Sequence, residues 1–431
     1  MRLGGRMAAA MEIIADIEAR HRPVADALKD WGLSHRFAGS GDRAAIGNVV
    51  YDVLRRKRSL AWRMEAETPD ALVFAAMLTG QDMSPNDLRQ ALDGDRFAPP
   101  LPDDAAFERC AARDLAEAPD AVRADLPEWL AAHFKEAFGE DWVAEAAALA
   151  ERPPLDMRAN ALKATRDKVV KALAPFSTVE TALAPEGLRI APTTGAARHP
   201  NVQVEAAFQK GWFEIQDEGS QLAARLAGAR AGMQVLDFCA GAGGKTLALA
   251  AAMENSGQIH AYDADRQRLA PIHDRLARAG ARNVQVHAPR DDLGELRERM
   301  NLVLVDAPCT GTGTWRRRPD AKWRLSEAAL EKRLGEQDAA LDAASAFVRP
   351  VGRLVYITCS LLPQENRERI AAFLERHPDF AVLDAQALWR ESLPDAAPAY
   401  HAVAAGEGRA LMLTPLRSGT DGFFFAALER R

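Results

Sequence analysis

Short apolar segments alternate with helical stretches from residue 233 onward, and this regular alternation restricts the fold of the chain more than any other feature. The strand-like segments are MQVLDF, QIHAY, NVQVH, NLVLVD and GRLVYI. Stretches with the hydrophobic period of a helix, such as DRQRLAPIHDRLARAG, separate them. The alternation predicts an α/β fold built on a doubly wound, Rossmann-like parallel sheet. The tail, RALMLTPLRSGTDGFFFAAL, predicts two more strands that form an antiparallel edge.

The chain has 431 residues, which is more than one compact core usually supports, so we expect several domains. Residues 9–63 have the periodicity of helices and predict a small helical bundle. Beyond Pro153 and Pro154, the segments GLRIA, VQVEAAF and WFEIQ are strand-like. We therefore predict a helical domain over 1–150, a small α+β linker subdomain over 151–222 and the α/β domain over 223–431.

Charge is distributed unevenly along the chain, whose formal net charge is −6. Residues 1–60 carry 11 basic and 7 acidic side chains, whereas residues 61–150 carry 7 basic and 19 acidic ones. The remainder is close to neutral. The negative net charge therefore comes from one acidic block, and the rest of the chain is neutral to basic. The net charge does not exclude a nucleic-acid partner.

Neither a membrane span nor a secretion signal is indicated by the sequence. The apolar runs are broken by charges before ~18 residues, and the first residues turn acidic where a signal peptide would continue apolar. The chain has no CxxC pair, so neither a disulfide framework nor a Cys-rich zinc site fits. We expect a cytoplasmic monomer with no metal and no membrane partner.

The segment VLDFCAGAGGKT, residues 235–246, runs from a strand through a glycine-rich loop into a helix. A phosphate-binding P-loop would need glycine where Ala240 lies, and a dinucleotide fingerprint would need it where Thr246 lies. A third interpretation is an S-adenosylmethionine site, in which an acidic residue after the second strand binds the ribose hydroxyls. Asp263, 26 residues after Asp237, has that position. A tight strand-to-helix turn without a ligand stays open as a fourth interpretation.

Two cysteines follow neighbouring predicted strands. DAPCTGTG, residues 306–313, ends the strand NLVLVD, and ITCSLLPQEN, residues 357–366, ends the next strand. Because ligands bind at the carboxyl ends of parallel strands, Asp306, Cys309 and Cys359 are expected to face one cleft. Two thiols at one cleft favour covalent catalysis over a packing role.

Between these motifs lies TWRRRPDAKWR, residues 314–324, in which cations alternate with two tryptophans. Such a mixture suits the phosphates and unstacked bases of RNA, whereas a plain solvated face would not need tryptophan. The segment predicts RNA contacts from Arg316, Arg317, Arg318 and Lys322.

Taken together, these motifs resemble the RsmB-like (Sun/Fmu, NOP/NSUN) RNA cytosine-5 methyltransferases. The resemblance covers most of the chain, from a helical region similar to a NusB-like RNA-binding domain, through PPLDMRAN and FEIQDEGSQ, to the closing TDGFFFA. CAGAGGKT resembles the loop that the family usually writes CAAPGGKT, and DAPC with TCS at this spacing marks the enzymes with two cysteines.

The resemblance implies that the chain methylates C5 of cytosine in RNA with S-adenosylmethionine as cofactor. Ribosomal RNA of the small subunit is the favoured substrate and transfer RNA the second. Cys359 would attack C6 of the base, Cys309 would assist proton removal and release, and Asp306 would hydrogen-bond the N3 edge. The expected cofactor-binding residues are Cys239, Ala240, Gly241, Ala242, Gly243, Gly244, Lys245, Asp263, Asp291 and Asp306.

Three alternatives stay open at this point. DNA cytosine methyltransferases use the cysteine of a Pro-Cys motif as nucleophile, so the roles of Cys309 and Cys359 could be exchanged. A non-catalytic RNA-binding assembly factor could keep the fold, although the intact cysteines argue against it. A nicotinamide-dependent oxidoreductase could use a similar sheet, but the third glycine of its fingerprint is missing.

Overall fold

The computed structural model describes residues 1–80 and 83–431 of the chain. Numbered in chain order, its α-helices are α1 Leu3–Arg20, α2 Val24–Ser34, α3 Ser40–Arg55, α4 Lys57–Met64, α5 Pro69–Gly80, α6 Pro85–Leu92, α7 Asp104–Ala112, α8 Asp120–Arg123, α9 Ala131–Phe138, α10 Trp142–Ala148, α11 Arg166–Ala172, α12 Ala206–Gln209, α13 Glu218–Leu226, α14 Gly244–Ala252, α15 Arg266–Leu269, α16 Ile272–Ala279, α17 Pro319–Arg324, α18 Glu327–Ser345, α19 Arg367–Arg376, α20 Ala385–Ser392 and α21 Pro415–Ser418. Its β-strands are β1 Leu155–Ala159, β2 Val179–Glu180, β3 Gly187–Ile190, β4 Phe213–Ile215, β5 Gln234–Asp237, β6 Gln258–Tyr262, β7 Val284–His287, β8 Met300–Asp306, β9 Val348–Thr358, β10 Phe380–Val382, β11 His401–Ala405, β12 Gly408–Leu413 and β13 Phe423–Arg430.

The chain divides into two compact units. The helical unit comprises Met1–Pro153, Pro192–His199 and Trp315–Leu325. The sheet unit comprises Pro154–Ala191, Pro200–Thr314 and Ser326–Arg431. The sequence analysis did not anticipate that two later segments belong to the helical unit. The finer division of the sheet unit at residue 222 stays a prediction.

The core of the helical unit forms around α5. Residues 71–77 of this helix, ALVFAAM, are apolar and buried on every side. A helix that is apolar all round is stable only when other elements surround it. Helices α1 and α3 supply this cover, and both pack against α5 and against each other.

The late segment Trp315–Leu325 contributes to this helical unit. Its helix α17 packs on α3. The Nε atom of Arg55 donates to the carbonyl of Arg316 at 2.9 Å, and the Nζ atom of Lys322 donates to the carbonyl of Arg55 at 3.0 Å. Trp315 is almost fully buried. The tryptophan and lysine side chains of this segment thus serve packing within the unit.

A small antiparallel sheet with strand order β2-β3-β1-β4 begins the sheet unit. The expectation that VQVEAAF forms a strand is wrong, because Val202–Val204 forms a 3-10 turn that α12 follows. The side chain of Asn201 accepts a hydrogen bond from the backbone N–H of Gln203 at 3.3 Å. This local bond stabilises a turn in place of an extended strand.

The large sheet has the strand order β11-β12-β13-β9-β8-β5-β6-β7, with β10 paired to β13. Strands β7, β6, β5, β8 and β9 are parallel, and β13, β12, β11 and β10 pair antiparallel. The predicted doubly wound parallel sheet with an antiparallel edge is confirmed. Strand order reverses between β5 and β8, and such a switch point opens a ligand crevice at the carboxyl ends of the strands.

Across the helices of residues 1–80 and 83–431, none combines the length and the apolar character that crossing a bilayer would require.

Two histidines form a buried pair inside the large sheet. His260 lies on β6 and His287 at the end of β7, and Nδ1 of the first is 2.9 Å from Nε2 of the second. Burial lowers the pKa of both imidazoles. His287 lowers the pKa of His260 further, whereas Asp291, 3.9 Å from His287, acts on the pKa of His287 in the opposite direction. The pair is therefore held neutral, with one ring donating and the other accepting.

This pair predicts a loss of stability in acid. Because folding lowers the pKa of these histidines, the unfolded chain binds protons more readily than the folded chain. The contribution of the pair to the free energy of unfolding is therefore complete above about pH 6.5 and falls as the pH drops toward the pKa values of the folded state. In a His260→Gln variant, the decrease in Tm between roughly pH 7.5 and roughly pH 5.5 should be smaller than in the parent by about 2–4 °C. Thermal unfolding followed by circular dichroism measures it. The exposed His273→Gln serves as control, and equal slopes for His260→Gln and the parent would contradict the assignment.

Candidate active site

The sheet unit brings the predicted site residues to the carboxyl ends of four neighbouring strands. Asp237 ends β5, Asp263 follows β6, Asp306 ends β8, and Cys359 follows β9. These strand ends border the switch point between β5 and β8. The site therefore lies where the topology alone places a ligand.

The loop between β5 and α14 depends on glycine at two positions. Gly241 and Gly243 have φ values of +50° and +84°, which side-chain-bearing residues rarely adopt. A Cβ atom on Gly243 would lie 2.6 Å from Cγ1 of Ile272, so the backbone also approaches a neighbouring helix closely. The N–H of Gly243 donates to the carbonyl of Ala240 at 2.9 Å and closes the turn.

Asp263 binds this loop. Its side chain is buried, and Oδ2 accepts a hydrogen bond from the N–H of Gly241 at 2.9 Å. The second oxygen, Oδ1, accepts from the N–H of Asp265 at 2.8 Å. The carboxylate is thus fixed beside the glycine loop, and each oxygen keeps a further lone pair for a ligand hydroxyl.

Asp237 is a fully buried carboxyl group beneath the same loop. Its Oδ2 accepts a hydrogen bond from the hydroxyl of Thr246 at 2.7 Å, whereas Oδ1 has no hydrogen-bond partner among the described residues. Burial raises the pKa of Asp237 to about 7, and the carboxylates of Asp306 and Asp263 act in the same direction. A positively charged ligand would relieve this excess of negative charge.

Lys245 supplies the cation at this group of carboxylates. Its Nζ atom lies 2.6 Å from Oδ2 of Asp306 and 5.4 Å from the ring centre of Phe423. Lys245 is buried, whereas Asp306 is about one-third exposed. The ion pair therefore holds the Asp306 carboxylate at the end of β8 while leaving one face of it open to the crevice.

The two cysteines that the sequence analysis selected lie in contact. Sγ of Cys309 is 3.3 Å from Sγ of Cys359, and the two residues are 50 positions apart in the chain. Both thiols are free. The hydrogen bond with Cys359, followed by burial, raises the pKa of the Cys309 thiol well above its usual value. Cys309 therefore keeps its proton at neutral pH.

The glycines that follow Cys309 allow a close backbone contact. A Cβ atom on Gly313 would lie 2.3 Å from the carbonyl oxygen of Gly422. The N–H of Gly313 donates to the carbonyl of Cys359 at 3.0 Å, and the N–H of Gly422 donates to the carbonyl of Gly313 at 2.8 Å. The two cysteine loops and the loop before β13 are thereby hydrogen-bonded to one another.

Glu365 is a functional residue that sequence reasoning did not single out, although the motif ITCSLLPQEN contains it. Glu365 is fully buried, and its carboxylate accepts hydrogen bonds from both cysteine loops. A carboxylate five residues after a serine gives no local signal of this role. The one available indication was the Glu-Asn pair that ends the motif ITCSLLPQEN.

Two other predicted cofactor residues have less distinctive surroundings. Cys239 is half-buried, and burial raises the pKa of its thiol. Asp291 is about half exposed, and its Oδ2 accepts from the N–H of Ala288 at 2.7 Å, within the loop after β7. The role of Asp291 in cofactor binding stays a prediction.

The four predicted RNA-binding cations belong to the helical unit and differ in exposure. Arg316 and Lys322 are buried, and Lys322 donates to a backbone carbonyl, so neither faces solvent as a phosphate ligand would. Burial lowers the pKa of Lys322 to about 8. Arg318 is exposed and Arg317 partly exposed. The structure thus restricts the prediction to Arg317 and Arg318.

Within residues 1–80 and 83–431, no group of three or more His, Cys, Asp or Glu side chains is arranged to hold a metal ion.

A glycine loop at a sheet switch point, with acidic side chains at the neighbouring strand ends, defines the Rossmann-like class of S-adenosylmethionine-dependent methyltransferases. The family described as 16S rRNA methyltransferase RsmB/F matches residues 225–429. The ferredoxin-like domain of RsmF/B-like methyltransferases matches residues 126–195. The chain belongs to this RsmB/F methyltransferase family.

Individual relatives agree with this membership. The ribosomal RNA small subunit methyltransferase B of Sodalis glossinidius is 33% identical over 317 residues, which cover 72% of this chain and 67% of the relative. The protein of the same description from Enterobacter sp. is 34% identical over 277 residues, covering 63% of each chain. The solved structure of a methyltransferase homolog protein from Pyrococcus horikoshii is 28% identical, with a TM-score of 0.60, over 72% of this chain and 98% of that one.

The cofactor of the family, S-adenosylmethionine, suits the residues present here. It carries a sulfonium, an ammonium and a carboxylate, and so a net positive charge. The crevice offers the carboxyl groups of Asp237, Asp263 and Asp306, with Lys245 paired to Asp306 and the half-exposed Arg268 3.8 Å from Asp263. The Oδ1 atom of Asp237, to which no described residue hydrogen-bonds, is a buried acceptor at the same loop. The charge and hydrogen-bonding capacity of the site therefore match this group.

Proposed function

We propose that the chain methylates C5 of cytosine in RNA, with small-subunit ribosomal RNA as substrate, through a covalent bond between Cys359 and C6 of the base. The observation that carries this proposal is the 3.3 Å separation of the Cys309 and Cys359 thiols beside Asp306. The relatives described as ribosomal RNA small subunit methyltransferase B support the choice of RNA.

C5 of cytosine is a poor nucleophile, and attack by a thiol on the ring makes C5 more nucleophilic. Addition of the Cys359 sulfur to C6 shifts electrons toward C5 and N3, and the thiol proton ends on N3. The carboxylate of Asp306, held by Lys245, accepts a hydrogen bond from the N3–H group and so stabilises the adduct. The base must leave its stack for the thiol to reach its face, which favours single-stranded or loop RNA.

S-adenosylmethionine, when bound, supplies an electrophilic methyl group. The residues Asp263 and Asp237 would hold the cofactor beside the glycine loop, Asp263 through ribose hydroxyls. Once C5 carries the methyl group, Cys309 receives the proton lost from C5 while its own proton passes to the departing sulfur of Cys359. N3 releases its proton, both thiols are restored, and one proton is released per methyl group transferred.

The roles of the two thiols predict opposite results for two variants. Cys359→Ala should form no protein–RNA adduct, and its methylation rate should fall by orders of magnitude, because the attacking sulfur is missing. Cys309→Ala should still attack and methylate but should accumulate a covalent adduct. A denaturing gel with ribosomal RNA and S-adenosylmethionine measures both, with Cys110→Ala of the helical unit as control. An adduct with Cys359→Ala and none with Cys309→Ala would reverse the roles, and normal methylation by both would refute thiol catalysis.

The cofactor-binding role of Asp263 predicts a loss of affinity. Asp263→Ala should weaken S-adenosylmethionine binding at least about tenfold, because each charge-assisted hydrogen bond contributes roughly 1.5–3 kcal/mol. Isothermal titration calorimetry without RNA measures the dissociation constant. The matched control is Asp265→Ala, an exposed carboxylate two residues away whose loss should leave the affinity unchanged. Equal affinity of Asp263→Ala and the parent would refute the assignment.

The partly exposed Arg317 and the exposed Arg318 of the segment Trp315–Leu325 predict a change in the salt dependence of RNA binding. Replacing Arg317 and Arg318 with Ala should weaken binding to single-stranded RNA and reduce the slope of log K against log salt by roughly 0.7 per lost contact. Filter binding at several salt concentrations measures the slope. The double variant Arg349→Ala, Arg409→Ala removes two exposed charges from the sheet unit as control. A parental slope for the Arg317, Arg318 double variant would show that neither side chain contributes a phosphate contact.

A further inference from the structure

One buried carboxylate connects the two loops that carry the cysteines. Oε1 of Glu365 accepts a hydrogen bond from the N–H of Thr310 at 2.8 Å, and Oε2 accepts from the Thr310 hydroxyl. Oε2 also accepts from the hydroxyl of Ser360. Thr310 directly follows Cys309, and Ser360 directly follows Cys359. Glu365 therefore contacts the residue after each thiol.

The surroundings fix this carboxylate in place. The Nε2 atom of Gln337 lies 2.9 Å from Oε1 of Glu365 and also 2.9 Å from the carbonyl of Pro308. The hydroxyl of Tyr356 donates to the main-chain carbonyl of Glu365 at 2.6 Å. Both the side chain and the backbone of Glu365 are thus held by groups from β9, α18 and the loop after β8. A carboxylate with this many partners has one position available to it.

We propose that Glu365 is the positioning residue of the thiol pair: its carboxylate ties the loop of Cys309 to the loop of Cys359 and places a negative charge beside them. This inference rests on the proposed cysteine chemistry. Glu365 contacts neither of the sulfur atoms by a hydrogen bond in the structure, so it acts through Thr310, Ser360 and its electric field.

The negative charge of Glu365 favours the protonated form of Cys309, which the proposed chemistry requires. After the hydrogen bond with Cys359 and burial, the charges of Cys359 and Glu365 further raise the pKa of the Cys309 thiol. Cys309 is thereby kept in the protonated form beside Cys359. A proton on Cys309 leaves Cys359 as the nucleophile and supplies the proton that passes to it on release. The position of Glu365 thus accounts for the division of roles between two adjacent thiols.

Two variants separate the charge of Glu365 from its link between the loops. Glu365→Gln keeps the length of the side chain and one acceptor oxygen, and its amide nitrogen can donate to the Thr310 and Ser360 hydroxyls, but it removes the charge. Ser360→Ala keeps the charge and removes the hydrogen bond to the Cys359 loop. Glu218→Gln is the matched control, because Glu218 is a buried carboxylate of the same unit that accepts from the N–H groups of Leu183 and Ala184.

The first measurement needs neither RNA nor methyl transfer. The protein is alkylated with iodoacetamide across a range of pH, and mass spectrometry of the Cys309 peptide gives the pH at which the thiol becomes reactive. In Glu365→Gln this midpoint should shift down by about one pH unit, since a nearby negative charge is lost. In Glu218→Gln the midpoint should equal that of the parent.

The second measurement is steady-state methylation of ribosomal RNA. Glu365→Gln and Ser360→Ala should each lower kcat by roughly 10–100-fold, because a small displacement of a reacting group is costly. KM for RNA should stay within about twofold of the parental value, since neither residue is placed to bind RNA. Glu218→Gln, compared at equal folded fraction by circular dichroism, should show parental kcat.

The outcomes distinguish the two proposals. If Glu365→Gln folds and its Cys309 midpoint is unshifted, the proposed role of the Glu365 charge is refuted. If Ser360→Ala shows parental kcat, the proposed link between the loops is refuted. The second test also holds when Glu365→Gln does not fold. If the parent forms neither 5-methylcytosine nor an adduct, the proposed function fails, whereas the alkylation profiles still decide whether Glu365 controls the thiol.

Discussion

Parallel pairing of β8 with β9 is the constraint on which the arrangement of the site depends. Their register places Asp306 opposite Ile357, so the two strands end at the same level of the sheet. Cys309 follows the first strand after a short turn, and Cys359 follows the second directly. Sheet hydrogen bonds thereby bring two distant thiols to 3.3 Å. A register shift of one residue would turn one side chain to the opposite face and separate the pair.

The site combines close backbone contact with an excess of negative charge. Glycine at positions 313 and 422 lets two loops approach to distances that no side chain would permit. Beside them, Lys245 is the cation paired with Asp306, while Asp237 stays buried with one oxygen that has no partner in the part of the chain that the structure describes. Such a crevice favours a cationic ligand over an anionic one, in agreement with a cofactor that carries a sulfonium. Together with burial, the same carboxylates raise the pKa of the Cys239 thiol in the glycine loop.

The segment Trp315–Leu325 shows how a composition suited to RNA can serve packing. Trp315 is buried, and the lysine of the segment satisfies its ammonium group with a backbone carbonyl of α3. Long cationic side chains can bury their apolar stems when the charged end finds an oxygen acceptor. The sequence alone does not distinguish a buried lysine from a lysine that binds phosphate. Exposure separates them, and it leaves Arg317 and Arg318 as the candidates for RNA contact.

The sequence by itself determined the doubly wound sheet, its antiparallel edge and the strand ends that carry Asp263, Asp306, Cys309 and Cys359, because strand and helix periods and turn residues are properties of adjacent positions. Local pattern failed at VQVEAAF, where a single asparagine side chain favours a turn. Only the tertiary structure decided that the thiols touch, that Glu365 joins their loops and that Lys322 is buried. Those facts depend on strand register and on packing between segments far apart in the chain, and a local period does not encode such contacts.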